Sequence, residues 1–164
     1  MKESMGNAFV FGLVLAFAFL MMIILTAAVN YSRANKVKNK ILHYVSAYAE
    51  YNTKVDINGN PEPIDLNGSD LEEQINRELS EIGYKANYGG WAQNNCDDES
   101  IKEKGGITLN SHSNYHYCVY AFPSERGYYY GVKTFMYFDI PVIGAQLELP
   151  VYGETRIIYD LGEK

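Results

Sequence analysis

Hydrophobic positions are concentrated at one end of the chain. No charged residue occurs from Met5 to Ser32, and Ala8 to Val29 is apolar apart from Gly12 and Thr26. A bilayer core needs about 20 apolar helical residues, so this run can span one. A cleaved signal peptide has a shorter apolar core, about 7–15 residues. The run meets no breaker at its end. From Tyr31 to Tyr51 the apolar residues Val37, Ile41, Val45 and Tyr48 recur at helical spacing, while Arg33, Lys36, Lys38 and Lys40 occupy other positions. The pattern predicts one continuous helix over 8–51, about 65 Å long. It is a transmembrane helix over 8–30 and an amphipathic continuation over 31–51, whose apolar stripe faces a folded domain. Residues 1–7 form a leader or cytoplasmic tail.

Residues 52–164 read as one α+β domain. Asp56 to Gly68 is rich in Asn, Gly and Pro and reads as a loop. Ser69 to Ile82 is a second helix: Ser69 and Glu72 fit a capping box, Gly83 fits the stop, and Leu71, Ile75, Leu79 and Ile82 make one apolar face. Beyond it the period becomes two. Ile107 to Asn110 suggests an edge strand, Tyr115 to Phe122 a strand, Ser124 to Gly127 a turn, and Tyr128 to Ile140 a long strand. Pro141 to Ala145 is an apolar connection, and Gln146 to Asp160 returns as strand, with Pro150 as a break or bulge. Successive hairpins build an antiparallel sheet, and the amphipathic half of the first helix is a natural cover for one face.

Charge divides along the same line. Residues 1–51 carry net +3 and residues 52–164 net −9, which together make the −6 of the chain. An acidic domain repels phosphate backbones, so nucleic acid is not an expected partner. Fifteen tyrosines are present, and Tyr115, Tyr117, Tyr120, Tyr128, Tyr129 and Tyr130 crowd the two central strands. Core and sheet pairing account for most of them; an exposed set would offer a surface for a protein or glycan partner. His112, His116 and Cys118 lie close together but lack an evident fourth metal ligand. Asp56, Asn58 and Asn60 alternate like a calcium loop, yet Pro61 stands where glycine is required and Asn67 where the bidentate glutamate belongs. The acidic run Asp97, Asp98, Glu99 reads as a solvated loop. No Gly-rich phosphate loop, HExxH or GxSxG occurs. Neither a catalytic site, a metal nor a cofactor is expected.

The apolar helix running through Asn30–Lys40 (NYSRANKVKNK) to Tyr51, followed by the strand–loop–strand Val132 to Tyr159 (VKTFMYFDIPVIGAQLELPVYGETRIIY), resembles type IV pilin-like proteins. The nearer likeness is to the TadE-like minor pseudopilins of the tight-adherence pilus. The two stretches cover about a third of the chain, and residues 52–113 match nothing in the family pattern. The resemblance implies a structural subunit held in the membrane with its domain outside, packing through its N-terminal helix against copies of itself or other pilin-like subunits. Ala16, Ala18, Ala27 and Ala28 would permit close helix approach in lipid. It also implies cleavage after Gly6, leaving Asn7 first. The family glutamate five residues beyond the cut is Phe11 here, which points to a low-copy component rather than a principal building block. A membrane-anchored extracellular binding module that never polymerises is the alternative.

Two features oppose each other on topology. Arg33, Lys36, Lys38 and Lys40 directly follow the span, and the positive-inside rule places such residues in the cytoplasm. The resemblance and the cysteine pair place the domain outside. There, Cys96 and Cys118 would form a disulfide; two reduced, buried thiols would look the same in sequence.

Overall fold

The computed structural model describes residues 2–52, 54–57, 61–84, 96–110, 115–125, 127–140 and 145–159. A single helix, α1, runs unbroken over Lys2–Tyr51. The expected helix is therefore present, and it starts earlier than residue 8, taking in the leader. No proline interrupts residues 2–8, and a helix already nucleated extends at little cost. At its other end Asn52 closes α1, its side-chain amide and backbone N–H both donating to Tyr48 O at 3.0 Å.

The domain is built on an antiparallel sheet of β3 (Ile107–Thr108), β4 (Tyr117–Ser124), β5 (Gly127–Ile140) and β6 (Ala145–Glu154), in that order, with β7 (Ile158–Tyr159) pairing the start of β5. Two short strands, β1 (Lys54–Val55) and β2 (Pro61–Glu62), form a separate ribbon with Val55 opposite Pro61. The stretch read as a loop thus contains a paired strand. The expected interruption at Pro150 is also displaced. β6 runs through Pro150, which pairs Phe135, because an edge strand needs only half of its N–H groups. The strand breaks instead at 155–157, where Thr155 stands in for a rung: its N–H donates to Tyr130 O at 2.8 Å, and its Oγ1 accepts from Tyr130 N–H at 2.9 Å.

Between the ribbon and the sheet lies α2 (Asp70–Ile82). Ser69 Oγ accepts from Glu72 N–H at 3.2 Å, and Gly83 adopts φ 67° as the stop. The reciprocal half of the cap shifts by one residue: the Glu72 carboxylate accepts from Gly68 N–H at 2.7 Å. Leu71, Ile75 and Leu79 are buried as the period predicts.

Both faces of the sheet are covered. On one face Val37, Ile41, Val45 and Ala49 of α1 pack with Leu71, Ile75 and Leu79 against Tyr117, Val119, Ala121, Tyr130 and Val132. On the other, Cys96 and Ile101 close over Cys118, Tyr120, Phe122 and Phe135. Ile101 belongs to a short helix, α3 (Glu99–Glu103), capped by the Asp98 carboxylate. The acidic run read as loop therefore starts a helix: Asp98 accepts from Ser100 N–H and pairs with Lys133. Gly106 makes the close approach possible, since a Cβ there would lie 2.6 Å from Ile101 and Phe122 side-chain atoms. Double coverage explains why every residue of Tyr117–Phe122 is buried and why the expected inward–outward alternation is absent.

Three more side chains finish the sheet where strands run out. Beyond β3, Asn110 lies along β4 like a peptide group: Nδ2 donates to Tyr117 O at 2.8 Å and Oδ1 accepts from Val119 N–H at 2.6 Å. Beyond the start of β4, the Tyr84 hydroxyl accepts from Phe135 N–H at 2.8 Å, with the His116 and Phe135 carbonyls at 2.8 and 3.1 Å for its own proton. Asn30 Nδ2 donates to Tyr137 O at 2.7 Å. By contrast, the fully buried Tyr120 hydroxyl has no partner. Two substitutions of the same kind should therefore differ in sign. Tyr84→Phe strands a buried backbone N–H and costs about 1–3 kcal/mol, whereas Tyr120→Phe removes an unpaired buried hydroxyl and is neutral or stabilising. Thermal or denaturant unfolding of the two variants reads the difference.

Candidate functional surface

Two surfaces meet end to end on α1. From Phe9 to Val29 the large apolar side chains are exposed, Phe9 by 73% and Leu25 by 65%. One helix is thus long and apolar enough to cross a membrane. From Asn30 onward the same helix belongs to the domain core. The change falls within about a turn and a half: Val29 is exposed, Asn30 is half-buried against Tyr137, and Ala34 is buried.

The lower half of α1 is held by graded contacts. Ala34 is small enough for Thr134 Oγ1 to reach its carbonyl oxygen at 3.1 Å. Gly153 on β6 leaves room for Lys38 and Leu42, whose side-chain carbons would lie 2.9–3.0 Å from a Cβ at that site. Val37, Ile41 and Val45 are buried and Tyr48 is half-buried against the same core, as their spacing predicts. At the end of the helix Glu50 pairs with Arg156 at 2.5 Å.

The charges past the span are partly absorbed by the domain. Lys40 pairs with Glu78 of α2, and Tyr44 donates to the other Glu78 oxygen at 3.0 Å. Lys38 donates to Asn35 at 3.1 Å. Arg33 and Lys36 are exposed. Of the candidate packing alanines, Ala16, Ala18 and Ala28 are exposed and Ala27 is half-buried. Gly6 and Asn7 lie within the helical backbone.

The two cysteines are joined, Cys96 to Cys118, with Cα atoms 5.4 Å apart across 22 residues. The bond ties the α3 segment to β4. It also dissolves the His112–His116–Cys118 group as a metal site: Cys118 is not a thiolate, His112 lies outside the described residues, and His116 turns toward Tyr137 and Glu148. Its Nδ1 lies 2.5 Å from Tyr137 Oη and 3.8 Å from Glu148 Oε1. Burial pushes the Tyr137 and Tyr84 phenols above the ordinary tyrosine range, so both act there as neutral hydrogen-bonding groups. Among the described residues no cluster of three His, Cys, Asp or Glu is placed to hold a metal. Asn58 and Asn60 lie outside the described residues.

Of the six crowded tyrosines, Tyr117, Tyr120 and Tyr130 are buried and Tyr115, Tyr128 and Tyr129 half-buried. Among the residues whose exposure is described, the exposed tyrosines are Tyr31, Tyr51 and Tyr152, none of them in that crowded set. Asn30, Ala34 and Thr134, which fix the helix to the sheet, escape sequence reasoning, because a polar residue at the edge of an apolar run carries no sign of its distant partner. No family model, curated protein or solved structure matches the chain.

Two measurements probe this surface. Replacing both cysteines by alanine should destabilise the domain by about 3 kcal/mol in the chain-entropy model, read by unfolding under oxidising conditions. The second concerns Glu78, whose carboxyl is held below the ordinary range, chiefly by the Lys40 hydrogen bond and then by Tyr44. A carboxyl depressed in the folded state adds stability above its unfolded pKa of about 4.3. That stability is lost as pH falls through the folded value. Melting temperature should therefore drop less steeply on acidification in Glu78→Gln than in the parent.

Proposed function

We propose that the chain is a pilin-like structural subunit, a low-copy component of a surface pilus or secretion assembly, anchored in the membrane with its domain on the extracytoplasmic side. The observation that carries this reading is the single unbroken α1, with one half exposed and apolar and the other half locked into the sheet. In such a subunit the exposed half packs against neighbouring helices in lipid, where van der Waals fit between small residues drives association. The rigid lower half fixes where the domain stands relative to that packing. The disulfide supports an oxidising compartment. The pairing of Lys40 with Glu78 weakens the opposing signal from the basic residues after the span.

Phe11 supports the accessory role. An unpaired charge among membrane helices is costly, so a family glutamate at that position requires the amine of a neighbouring chain. Phe11 neither needs nor offers such a pairing. A subunit of this kind can occupy an end of an assembly or help start it more readily than repeat through it.

Single cysteines placed in the span, beginning with Ala16→Cys, should give disulfide-linked adducts with copies of the chain or with other pilin-like subunits in native membranes. A span that yields none is the behaviour of a solitary anchor carrying a binding module. Phe11→Glu should leave export intact and alter incorporation. In sheared filaments the chain should be scarce beside the principal subunit; equal abundance overturns the accessory role. N-terminal sequencing of the membrane-purified protein should find Asn7 first.

A further inference from the structure

Of the four basic residues that follow the apolar run, the domain takes up two. Lys40 pairs with Glu78 of α2. Lys38 donates to Asn35, and its carbon chain lies over Gly153 of β6. Arg33 and Lys36 are exposed, and among the described residues no acidic side chain pairs with either.

Their place on α1 is fixed from the other side of the helix. Ala34 and Val37 are buried against the sheet. The Ala34 carbonyl accepts from Thr134, and Asn30 donates to the Tyr137 carbonyl. The sheet thus occupies the inner side of the helix at this level. The outer side is left to Arg33 and Lys36, which are three residues apart and therefore neighbours on one face.

Because α1 is unbroken, the helical rise also sets both cations relative to the apolar run. From Val29, Arg33 lies about 6 Å further along the axis and Lys36 about 10 Å. The run itself, Ala8 to Val29, is about 33 Å long as helix, enough to fill a hydrocarbon core of about 30 Å. Headgroups add about 5–8 Å on each side. With α1 as the span, Arg33 stands within the headgroup layer. Lys36 stands at its outer limit, where a long stem lets the ammonium reach back. Tyr31, exposed beside them, suits the same depth.

The chemistry of the pair points to its ligand. A guanidinium presents a planar fork that matches two phosphate oxygens, and an ammonium adds a compact point charge. A zwitterionic headgroup balances its phosphate with its own ammonium, whereas an anionic headgroup leaves that charge for the protein. Residues 52–164 carry net −9, so an anionic surface repels the domain as a whole. The exposed cations at its foot are where such a surface is attracted.

We propose that Arg33 and Lys36 form a binding site for anionic phospholipid headgroups, gathering such lipids around α1 and holding the acidic domain close to the bilayer surface. The ligand is the lipid phosphate. This rests on α1 spanning the membrane, and it adds a lipid preference confined to the leaflet on the domain side.

The chain has one tryptophan, Trp91, which makes the local lipid composition measurable. In a Trp91→Phe background, Leu25→Trp reports the leaflet on the domain side and Leu13→Trp the opposite one; both leucines are exposed. The full chain is reconstituted in vesicles of equal parts phosphatidylcholine and phosphatidylglycerol, with bromine on the acyl chains of one lipid or the other. Each basic residue near an anionic surface favours association about fivefold. Brominated phosphatidylglycerol should therefore quench Leu25→Trp severalfold more effectively than brominated phosphatidylcholine, with a smaller difference at Leu13→Trp. Arg33→Gln combined with Lys36→Gln should remove most of the preference, and the charge-preserving pair Arg33→Lys with Lys36→Arg should keep it. Equal quenching by the two lipids in the parent overturns the site. So does a preference that survives the double glutamine variant, or one of the same size at Leu13→Trp. In each of those cases lipid still quenches and the span stands. Tryptophans at 25 and 13 that neither lipid quenches overturn the spanning helix itself.

Discussion

Between Asn30 and Glu50 the backbone of α1 lies close enough to the sheet for a threonine hydroxyl on β5 to reach a helix carbonyl. The rest of the structure depends on this approach. It requires Ala34 rather than a larger residue on the helix, and Gly153 rather than any side chain on β6. Ridge-into-groove packing alone would leave the helix free to slide by a turn. A hydrogen bond at Thr134, a second at Asn30 and an ion pair at Glu50 remove that freedom. The register between helix and strand then becomes the register between the exposed apolar half of α1 and the domain.

Because β5 is longer than its neighbours, its backbone outruns its partners on both sides. The chain meets this with side chains rather than more strand. Tyr84, Asn30 and Thr155 each supply the hydrogen bonds that a missing rung would have made. The arrangement follows from the cost of leaving a buried N–H or C=O unpaired. It also marks where the fold is least tolerant: a side chain that replaces a rung has no neighbour to take over when it is lost.

The elements defined by local signals were legible in sequence. The helix period carries α1 through to Tyr51, Ser69 and Gly83 bound α2, and aromatic density marks β4 and β5. Misreadings arose where a distant partner decides the outcome. Pro150 looks like a break until β6 is known to be an edge. Asp98 looks like solvated charge until Ser100 and Lys133 surround it. Asn110 and Tyr84 carried no signal, since an amide or a phenol that substitutes for a strand has no local spacing to betray it. The functional surface was more legible than the joints that orient it, because an apolar run is local and a helix–sheet contact is not.

The second covered face bears on how load would pass through the molecule. α1 holds the sheet from one side, while the disulfide and the Lys133–Asp98 pair hold the α3 segment against the other. Their anchor points, Cys118 and Lys133, are directly opposite each other on β4 and β5, one rung along from Thr134, which meets Ala34. A force drawn along α1 enters the sheet at β5, the strand with the most partners, and is shared at once with β4, β6 and the covalent tie. For a chain anchored through its apolar half, as proposed, this places these cross-links near the level where the helix hands over to the domain. A sheet covered on one face only would have to bear the same load through two-residue β3 and an open edge, where nothing covalent resists shear.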